Sequence, residues 1–204
     1  MTLQIIQCEQ GTPEWHQARA GVITASEIDN VLAAGRNGKE SLTRMKYLHR
    51  IAAERILGEP VEIWEGNRHS ERGKELEPKA RELYATKTGN NPETVGFLKS
   101  GFVGCSPDGL VGTNGGCEIK TKLPYLQLAV LDRGEVPSDN MGQVQMSLWV
   151  SGREWWDFVS FWPGLPLFVK RVYRDEVYIA EIKAGCERFN EEAEKLVEKI
   201  KGMY

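Results

Sequence analysis

The chain has little of what cross-links small secreted domains or binds soft metals. Its four cysteines, Cys8, Cys105, Cys117 and Cys186, are scattered and form no C-x-x-C pair, and its three histidines match no ligand pattern. This argues against a disulfide framework and against a zinc site, so we expect free thiols. A chain of 204 residues needs no such cross-links, because folding can bury about 70% of its unfolded surface.

Long apolar runs and targeting signals are also missing. No stretch approaches the roughly 18 apolar residues of a membrane helix, and no basic segment followed by an apolar one opens the chain. There are no internal repeats, low-complexity segments or long linkers. We therefore expect one soluble globular domain over residues 1–204, in the cytoplasm and without membrane contact.

The chain has no excess of positive charge. It contains 26 Lys and Arg against 29 Asp and Glu, a net charge of -3. That balance argues against a protein that coats nucleic acid generally. It leaves room for a local basic cleft, because the electric field depends on where the charges lie.

Hydrophobic spacing predicts helices at both ends of the chain and one between strands. Thr24 to Glu27 has the form of a capping box, which predicts that a short helix begins there. The other predicted helices cover residues 42–57 before Gly58, a segment through Leu76 and Tyr84 that ends before Gly89, residues 141–149, and a long amphipathic stretch over 182–200.

After Pro92 the pattern changes to short segments rich in β-branched and aromatic residues. These predict strands at residues 94–98, 102–106, 117–121, 155–162 and 167–173. The expected fold class is therefore α/β of the α+β kind, with helices flanking a mixed central sheet.

The most informative residues are Asp108, Glu118 and Lys120. Side chains alternate along a strand, so Glu118 and Lys120 point one way and Ile119 points the other. A three-residue loop over 113–115, with Gly115 left-handed, would pair position 108 with 120 and place Asp108 on the same face. A two-residue loop would turn Asp108 to the opposite face, so a shared site requires the three-residue loop.

Two carboxylates close together repel unless something compensates them. Carboxylates without nearby His or Cys suit Mg²⁺ or Mn²⁺, and the Lys could hold the attacking water or stabilise a phosphorane-like transition state. The alternative is that Glu118 and Lys120 form an ordinary exposed pair on a strand.

A second candidate site involves Arg19 and Ser26. Ser26 is expected in the first turn of the helix after Thr24, where free N–H groups bind anions, and Arg19 can add a bidentate donor. The alternative is a capping serine beside an unrelated surface arginine.

Several segments occur in an order that resembles a known family. They are residues 15–26, 72–77, 106–110, 118–120 and 143–149. The Pro107-Asp108 pair followed by Glu118-Ile119-Lys120 is similar to the signature of the PD-(D/E)xK nuclease superfamily, and the ordered set resembles the phage lambda exonuclease, or YqaJ-type viral recombinase, family. The resemblance implies a restriction-endonuclease-like core.

The resemblance also implies catalytic roles. Asp108, Glu118 and the backbone carbonyl of Ile119 would hold a pair of Mg²⁺ ions, for which Mn²⁺ would substitute, with Glu77 assisting. Lys120 would be the catalytic lysine, and Gln143 would lie beside the attacking water. Without the resemblance, Glu77 would be interpreted as a solvated helix carboxylate and Gln143 as a surface amide.

The family's DNA contacts carry over in the same way. Arg19, Ser26 and Ser106 would bind the 5′-phosphate of a DNA end, with Arg68 and Arg36 as further DNA contacts. Arg68 replaces a family lysine near the phosphate. The family's strand-separating apolar residue aligns with Ser70, so a neighbour such as Trp64 would have to take that role.

The implied function is a Mg²⁺-dependent 5′→3′ exonuclease that digests one strand of duplex DNA from a 5′-phosphorylated end. The implied assembly is a ring-shaped homotrimer, with a phage single-strand annealing protein as an implied partner. The alternatives are another PD-(D/E)xK nuclease, either an endonuclease or a RecB/Cas4-like enzyme, and a non-catalytic DNA-end-binding module. A Cas4-like enzyme would have cysteines grouped for an iron–sulfur cluster, which these four are not.

Overall fold

The structure is a computed structural model that describes residues 2–35, 41–61 and 68–204. The helices are α1 Pro13–Arg19, α2 Ile28–Leu32, α3 Leu42–Leu57, α4 Arg68–Thr88, α5 Pro124–Arg133, α6 Ser138–Ser151 and α7 Glu176–Lys201. The strands are β1 Leu3–Ile6, β2 Ile23–Thr24, β3 Phe97–Ser100, β4 Val103–Cys105, β5 Gly109–Val111, β6 Gly115–Thr121, β7 Trp155–Phe161 and β8 Phe168–Tyr173. All the helices and strands predicted from the sequence form, with shifted ends.

The predicted mixed α+β class is confirmed, but the strands form two mixed sheets where one central sheet was expected. Their orders are β1-β3-β4-β2 and β5-β6-β7-β8, with parallel pairing between β2 and β4 and between β6 and β7. The chain leaves the first sheet after Cys105 and enters the second at Gly109. Pro107 lies in this crossing and has no N–H to continue a ladder. Residues 106–108 therefore connect the two sheets.

The β5–β6 hairpin has a different register from the predicted one, but Asp108 still lies on the predicted face of the sheet. Val111 pairs with Gly115 and Gly109 with Cys117, so position 108 lies opposite 118 rather than 120. The loop has three residues, as predicted, but it covers 112–114, and Gly112 rather than Gly115 is left-handed, at φ 53°. A shift of two positions preserves the alternation. Asp108 therefore remains on the face of Glu118 and Lys120.

The second sheet is buried on both faces. On one side Cys117, Ile119 and Val159 pack with Ala80 and Tyr84 of α4. On the other side Trp156 and Phe158 of β7 join the core formed by α6, α7 and the first sheet. The predicted direction of Ile119, away from Glu118 and Lys120, is confirmed.

The capping box predicted at Thr24 does not form. Residues Ala25–Glu27 make a 3₁₀ turn before α2, and the Thr24 side chain makes no capping hydrogen bond. Its hydroxyl lies instead near the side chains of Arg19 and Ser26. The contact of Thr24 with Arg19 and Ser26 thus replaces the capping hydrogen bond that the local sequence predicts.

Sequence reasoning missed α1, α5 and the short strands β1, β2 and β5. The two helices carried signals that could have found them. Thr12 accepts a hydrogen bond from Trp15 N at the start of α1, and α5 has Pro124 in its first turn and Gly134 after its last. The short strands hold too few residues to show a period.

All four cysteines are free, as predicted, and three of them are buried. Burial raises the pKa of the Cys105 and Cys186 thiols to about 12, which keeps them protonated and unreactive. None of the helices in the described ranges combines the length and apolar character needed to cross a bilayer.

Candidate active site

Glu118 is the centre of a buried polar cluster on β6. The residue is only 4% exposed. Its Oε1 lies 2.6 Å from Lys120 Nζ and accepts a hydrogen bond from Gln143 Nε2 at 2.7 Å. Its Oε2 is also buried but has no hydrogen-bond partner among the described residues. Because buried carboxylate oxygens are normally satisfied, this oxygen has unused capacity to bind a cation or a donor.

Asp108 completes the carboxylate pair from the segment between the sheets. Its Oδ2 accepts a hydrogen bond from the backbone N–H of Ile119 at 2.5 Å, which holds the carboxylate against β6. Burial and the nearby charges of Glu118 and Glu77 raise the pKa of Asp108 well above its ordinary value. A carboxylate in this position is poised to bind a cation, which would replace the proton.

The segment that carries Asp108 is fixed by close packing. A Cβ on Gly109 would lie 2.3 Å from Pro92 Cβ, so only glycine fits after the aspartate. On the other side, Gln10 Nε2 donates to Pro107 O at 2.9 Å and to Val95 O at 3.1 Å. Sequence reasoning missed Gln10, since nothing in its local pattern marks it.

Lys120 is an ammonium held between carboxylates. Burial alone would lower its pKa, but the charges of Glu118 and Asp108 and the contact with Glu118 outweigh burial, so the pKa of Lys120 is raised. It is therefore a proton donor and a positive charge in this structure. The interpretation as an isolated exposed strand pair does not fit a Glu118 that is buried.

Glu77 reaches the edge of the cluster from α4. Its charge contributes to the raised pKa of both Asp108 and Lys120, so it lies within electrostatic range of them. Its Oε1 is paired with Arg81 Nη2 at 2.7 Å, one helical turn further on. Arg81 was not predicted, although the four-residue spacing from Glu77 is typical of a helical ion pair.

The two glutamines of α6 have different roles. Gln143 donates to Glu118 and so belongs to the cluster. Gln145 is buried and donates to the backbone carbonyl of Tyr173 at the end of β8, while its Oε1 accepts from Asp175 N. Gln145 therefore ties the end of β8 to the start of α7.

The cluster fits a hard divalent cation bound by few protein ligands. In the described part of the chain, no three His, Cys, Asp or Glu side chains are grouped so that they could hold one ion. Mg²⁺ is usually bound by one or two carboxylates, with water and substrate phosphates completing its shell. Asp108 and the free Oε2 of Glu118 are the side chains that fit this description, and ligand roles for Glu77 and the Ile119 carbonyl stay predictions.

Arg19 forms a second polar centre near the first. Its Nη1 donates to Ser106 Oγ at 2.9 Å, and its Nη2 lies 3.4 Å from Ser26 Oγ and 3.5 Å from Thr24 Oγ1. The guanidinium carbon lies 4.1 Å from the centre of the Trp15 ring. The structure thus brings together Arg19, Ser26 and Ser106, which the sequence analysis grouped.

No carboxylate pairs with Arg19 among the described residues, where its hydrogen bonds go to hydroxyl groups. Burial lowers the pKa of this arginine, Tyr47 and the carboxylate of Glu27 oppose that effect, and the positive charge of Arg50 makes a smaller contribution that lowers it. An arginine that is partly buried, bonded to neutral groups and near a second arginine is suited to binding an anion. Sequence reasoning missed Trp15, Thr24 and Arg50 as members of this centre.

Four predicted residues cannot be compared in the same way. Arg36 and Trp64 lie outside the described residues. Arg68 and Ser70 belong to α4, but their side chains lie outside the described part of the structure.

Comparisons with known proteins match both the sequence and the fold. A sequence model of the YqaJ-like viral recombinase domain matches residues 14–154. The crystal structure of an alkaline exonuclease, LHK-Exo from Laribacter hongkongensis, is 33% identical, with a TM-score of 0.83 over 94% of this chain and 97% of that one. Its complex with dAMP has the same identity and coverage and a TM-score of 0.84.

A more distant structure shares the fold alone. A phage-related exonuclease from Haemophilus somnus 129PT is 16% identical, with a TM-score of 0.64 over 88% of this chain and 96% of that one. A search of curated protein sequences gives no significant match.

Proposed function

Because the chain belongs to the YqaJ-like viral recombinase family, we propose that it is a Mg²⁺-dependent exonuclease acting on duplex DNA. It digests one strand in the 5′→3′ direction from a 5′-phosphorylated end and leaves a 3′ single-stranded tail. The alkaline exonuclease among its structural relatives supports the reaction class.

One observation carries the proposal. Residues 106–108 connect Ser106, which accepts from Arg19, to Asp108, which accepts from the backbone N–H of Ile119 beside Glu118. A centre suited to a terminal phosphate is therefore two residues away from a carboxylate pair with an unsatisfied oxygen. This arrangement suits an enzyme that holds a chain end while it cuts the bond behind that end.

The residues divide the chemistry between them. Asp108 and Glu118, with Glu77 and the Ile119 carbonyl, would hold two Mg²⁺ ions, or Mn²⁺ in their place. When bound, these ions supply activation of the attacking water and stabilisation of the leaving oxygen. Lys120 stabilises negative charge on the transferred phosphate. Gln143 orients Glu118 through its hydrogen bond, and its contact with the attacking water is part of the proposal.

The proposal is tested with linear duplex and closed circular plasmid, each with Mg²⁺ and with EDTA. Linear duplex labelled at one 5′ end should release labelled mononucleotide first, and the circle should stay intact. Cleavage of the circle would indicate an endonuclease, and binding of linear DNA without cleavage would indicate an end-binding module. Either result would overturn the proposal.

The anion centre predicts a preference among DNA ends. Ends with a 5′-phosphate should be digested faster than 5′-hydroxyl ends, and Arg19→Ala should remove most of the difference, because Arg19 supplies the charged donors. Equal digestion of both ends by the wild type would contradict this assignment.

We further propose a ring-shaped homotrimer that encloses the DNA, working with a single-strand annealing protein. A ring should digest long tracts of each engaged molecule even with excess competitor DNA. A monomer of 23.0 kDa in sedimentation, together with distributive digestion, would rule the ring out.

A further inference from the structure

The cavity beside Arg19 contains a second arginine. The cavity has a volume of about 950 Å³, and both Arg19 and Arg50 of α3 line it. A single phosphate contact to Arg19 leaves Arg50 unexplained. Both charges of the Arg50–Glu27 pair reach Arg19, because after burial, which lowers the pKa of Arg19, Glu27 raises it and Arg50 lowers it.

Arg50 is paired with Glu27 on the cavity wall. Its Nη2 lies 3.0 Å from Glu27 Oε1, and both side chains are partly exposed, at 29% and 28%. Its guanidinium carbon also lies 4.8 Å from the centre of the Tyr47 ring, which orients it. Glu27 directly follows Ser26, whose hydroxyl is near Arg19. The ion pair and the phosphate centre are therefore joined through adjacent residues.

The charges around this cavity balance. Glu54 is the second carboxylate of the lining, and its Oε2 accepts from the backbone N–H of Gly21 at 2.8 Å. Among the described lining residues, Arg19 and Arg50 thus face Glu27 and Glu54. Because Glu54 is buried and bonded to the backbone, Glu27 is the carboxylate that can be displaced. An incoming anion has to compete with Glu27 for Arg50.

We propose that Arg50 and Glu27 determine specificity for a terminal phosphate monoester, with Glu27 as the counter-ion that the monoester displaces from Arg50. This inference rests on the proposed action at 5′-phosphorylated ends. A phosphate monoester carries a charge of about -1.5 to -2 at neutral pH and has three free oxygens. A diester carries one negative charge and competes poorly with a carboxylate already in place. Displacement of Glu27 from Arg50 therefore favours the phosphate at a strand terminus over the phosphates inside a strand.

The test measures binding of three DNA hairpins, each with one blunt end, by fluorescence anisotropy in EDTA so that no cleavage occurs. The ends carry a 5′-hydroxyl, a 5′-methyl phosphate with one charge, or a 5′-phosphate. Wild type should prefer phosphate over methyl phosphate by about tenfold, the effect of one charge-assisted hydrogen bond. Arg50→Gln should lower the affinity for phosphate until the two phosphorylated ends bind alike, both still better than the hydroxyl end.

Glu27→Gln should also reduce the preference for phosphate over methyl phosphate, but by strengthening the binding of methyl phosphate. Methyl phosphate should bind more tightly than in the wild type, because Arg50 no longer has to leave a carboxylate. Lys46→Gln removes an exposed charge from the same helix, outside the cavity lining, and should leave the preference unchanged. Arg50→Lys should keep part of the preference, which separates loss of charge from loss of folding.

The outcomes are distinguishable. If wild type binds all three ends equally, both the proposed action at phosphorylated ends and this inference fail. If wild type prefers phosphate and Arg50→Gln keeps the full preference over methyl phosphate, only the inference fails. Weaker binding of every end by Glu27→Gln would also overturn it.

Discussion

Two buried carboxylates on neighbouring strands of the second sheet face opposite sides and are satisfied to very different degrees. Asp157 of β7 faces α4 and is 1% exposed. Arg171 donates to both of its oxygens at 2.9 Å, and Tyr84 donates at 2.7 Å. Glu118 of β6 receives its donors on one oxygen, and its other oxygen has none among the described residues.

We infer that the difference separates a structural carboxylate from the proposed functional one. The group around Asp157 is complete, since Arg171 also stacks 3.5 Å from the centre of the Trp155 ring. Burial and the contact with Asp157 raise the pKa of Tyr84, so its hydroxyl stays a donor. The group around Glu118 is incomplete and contains a second carboxylate, Asp108. We infer that incompleteness, more than burial, marks the site that takes a ligand.

The strongest way to break the comparison is Glu118→Gln. Cleavage should fall by a factor of about 10³ or more, because a metal ligand is lost, while binding of a DNA end is retained. Asp157→Asn is the matched control, and its folded fraction should keep the wild-type turnover. Wild-type cleavage by Glu118→Gln would remove Glu118 from the site.

Lys120→Ala tests the positive member of the incomplete group. We expect kcat to fall about 10²-fold or more, the usual effect of losing a group that acts in the transition state. Steady-state kinetics on a linear duplex provide the measurement. A raised KM with unchanged kcat would instead identify Lys120 as a residue that only binds substrate.

Asp157→Asn tests the complete group through stability. Asn keeps one acceptor oxygen, but it loses the charge and turns an amide N–H₂ group towards donors that Asp157 satisfied. Because Arg171 is 39% exposed, water can compensate it in part, and we expect a cost of about 2 kcal/mol. Urea unfolding should show this decrease in the free energy of unfolding. Glu118→Gln should show a much smaller one, and an equal loss in both variants would erase the distinction between the two groups.

Asp108→Asn should stabilise the metal-free protein, by a smaller amount than Asp157→Asn destabilises it. The pKa of Asp108 is higher folded than unfolded, so the metal-free protein loses stability as pH rises from the unfolded value towards the folded one. Asn removes that loss, and the melting temperature in EDTA at neutral pH should rise by about 2–4 °C for each kcal/mol gained.

Added Mg²⁺ gives the matching measurement. It should raise the melting temperature of the wild type, because an ion bound only to the folded state stabilises it. It should have little effect on Asp108→Asn. A wild type that melts at the same temperature with Mg²⁺ and with EDTA would contradict the metal site.

Local patterns predicted the elements well and their pairing less well. The amphipathic pattern of α7 and the glycine after α3 are readable because the period and the stop signal lie within a few residues. The β5–β6 register was wrong by two positions, because it depends on which glycine turns the chain. The shared face of Asp108, Glu118 and Lys120 survived, since a two-residue shift preserves alternation.

Other parts of the site carried no local signal. Gln143 and Gln145 are neighbours of the same type, and only the packing of α6 against both sheets separates a partner of Glu118 from a tie between β8 and α7. Arg50 looks like any polar residue on a helix. Its proposed role depends on Glu27 and Arg19, which line the same cavity but belong to other elements.

The sequence by itself determined which chemical groups this protein has and which of them share a strand face, because side-chain alternation is a property of the extended backbone. Only the tertiary structure decided which of those groups are satisfied. Arg19 and Ser106 are 87 residues apart in the chain, and the hydrogen bond between them exists because α1 packs against the first sheet. Whether a buried carboxylate has donors on both oxygens likewise depends on every element around it, and no local pattern contains that information.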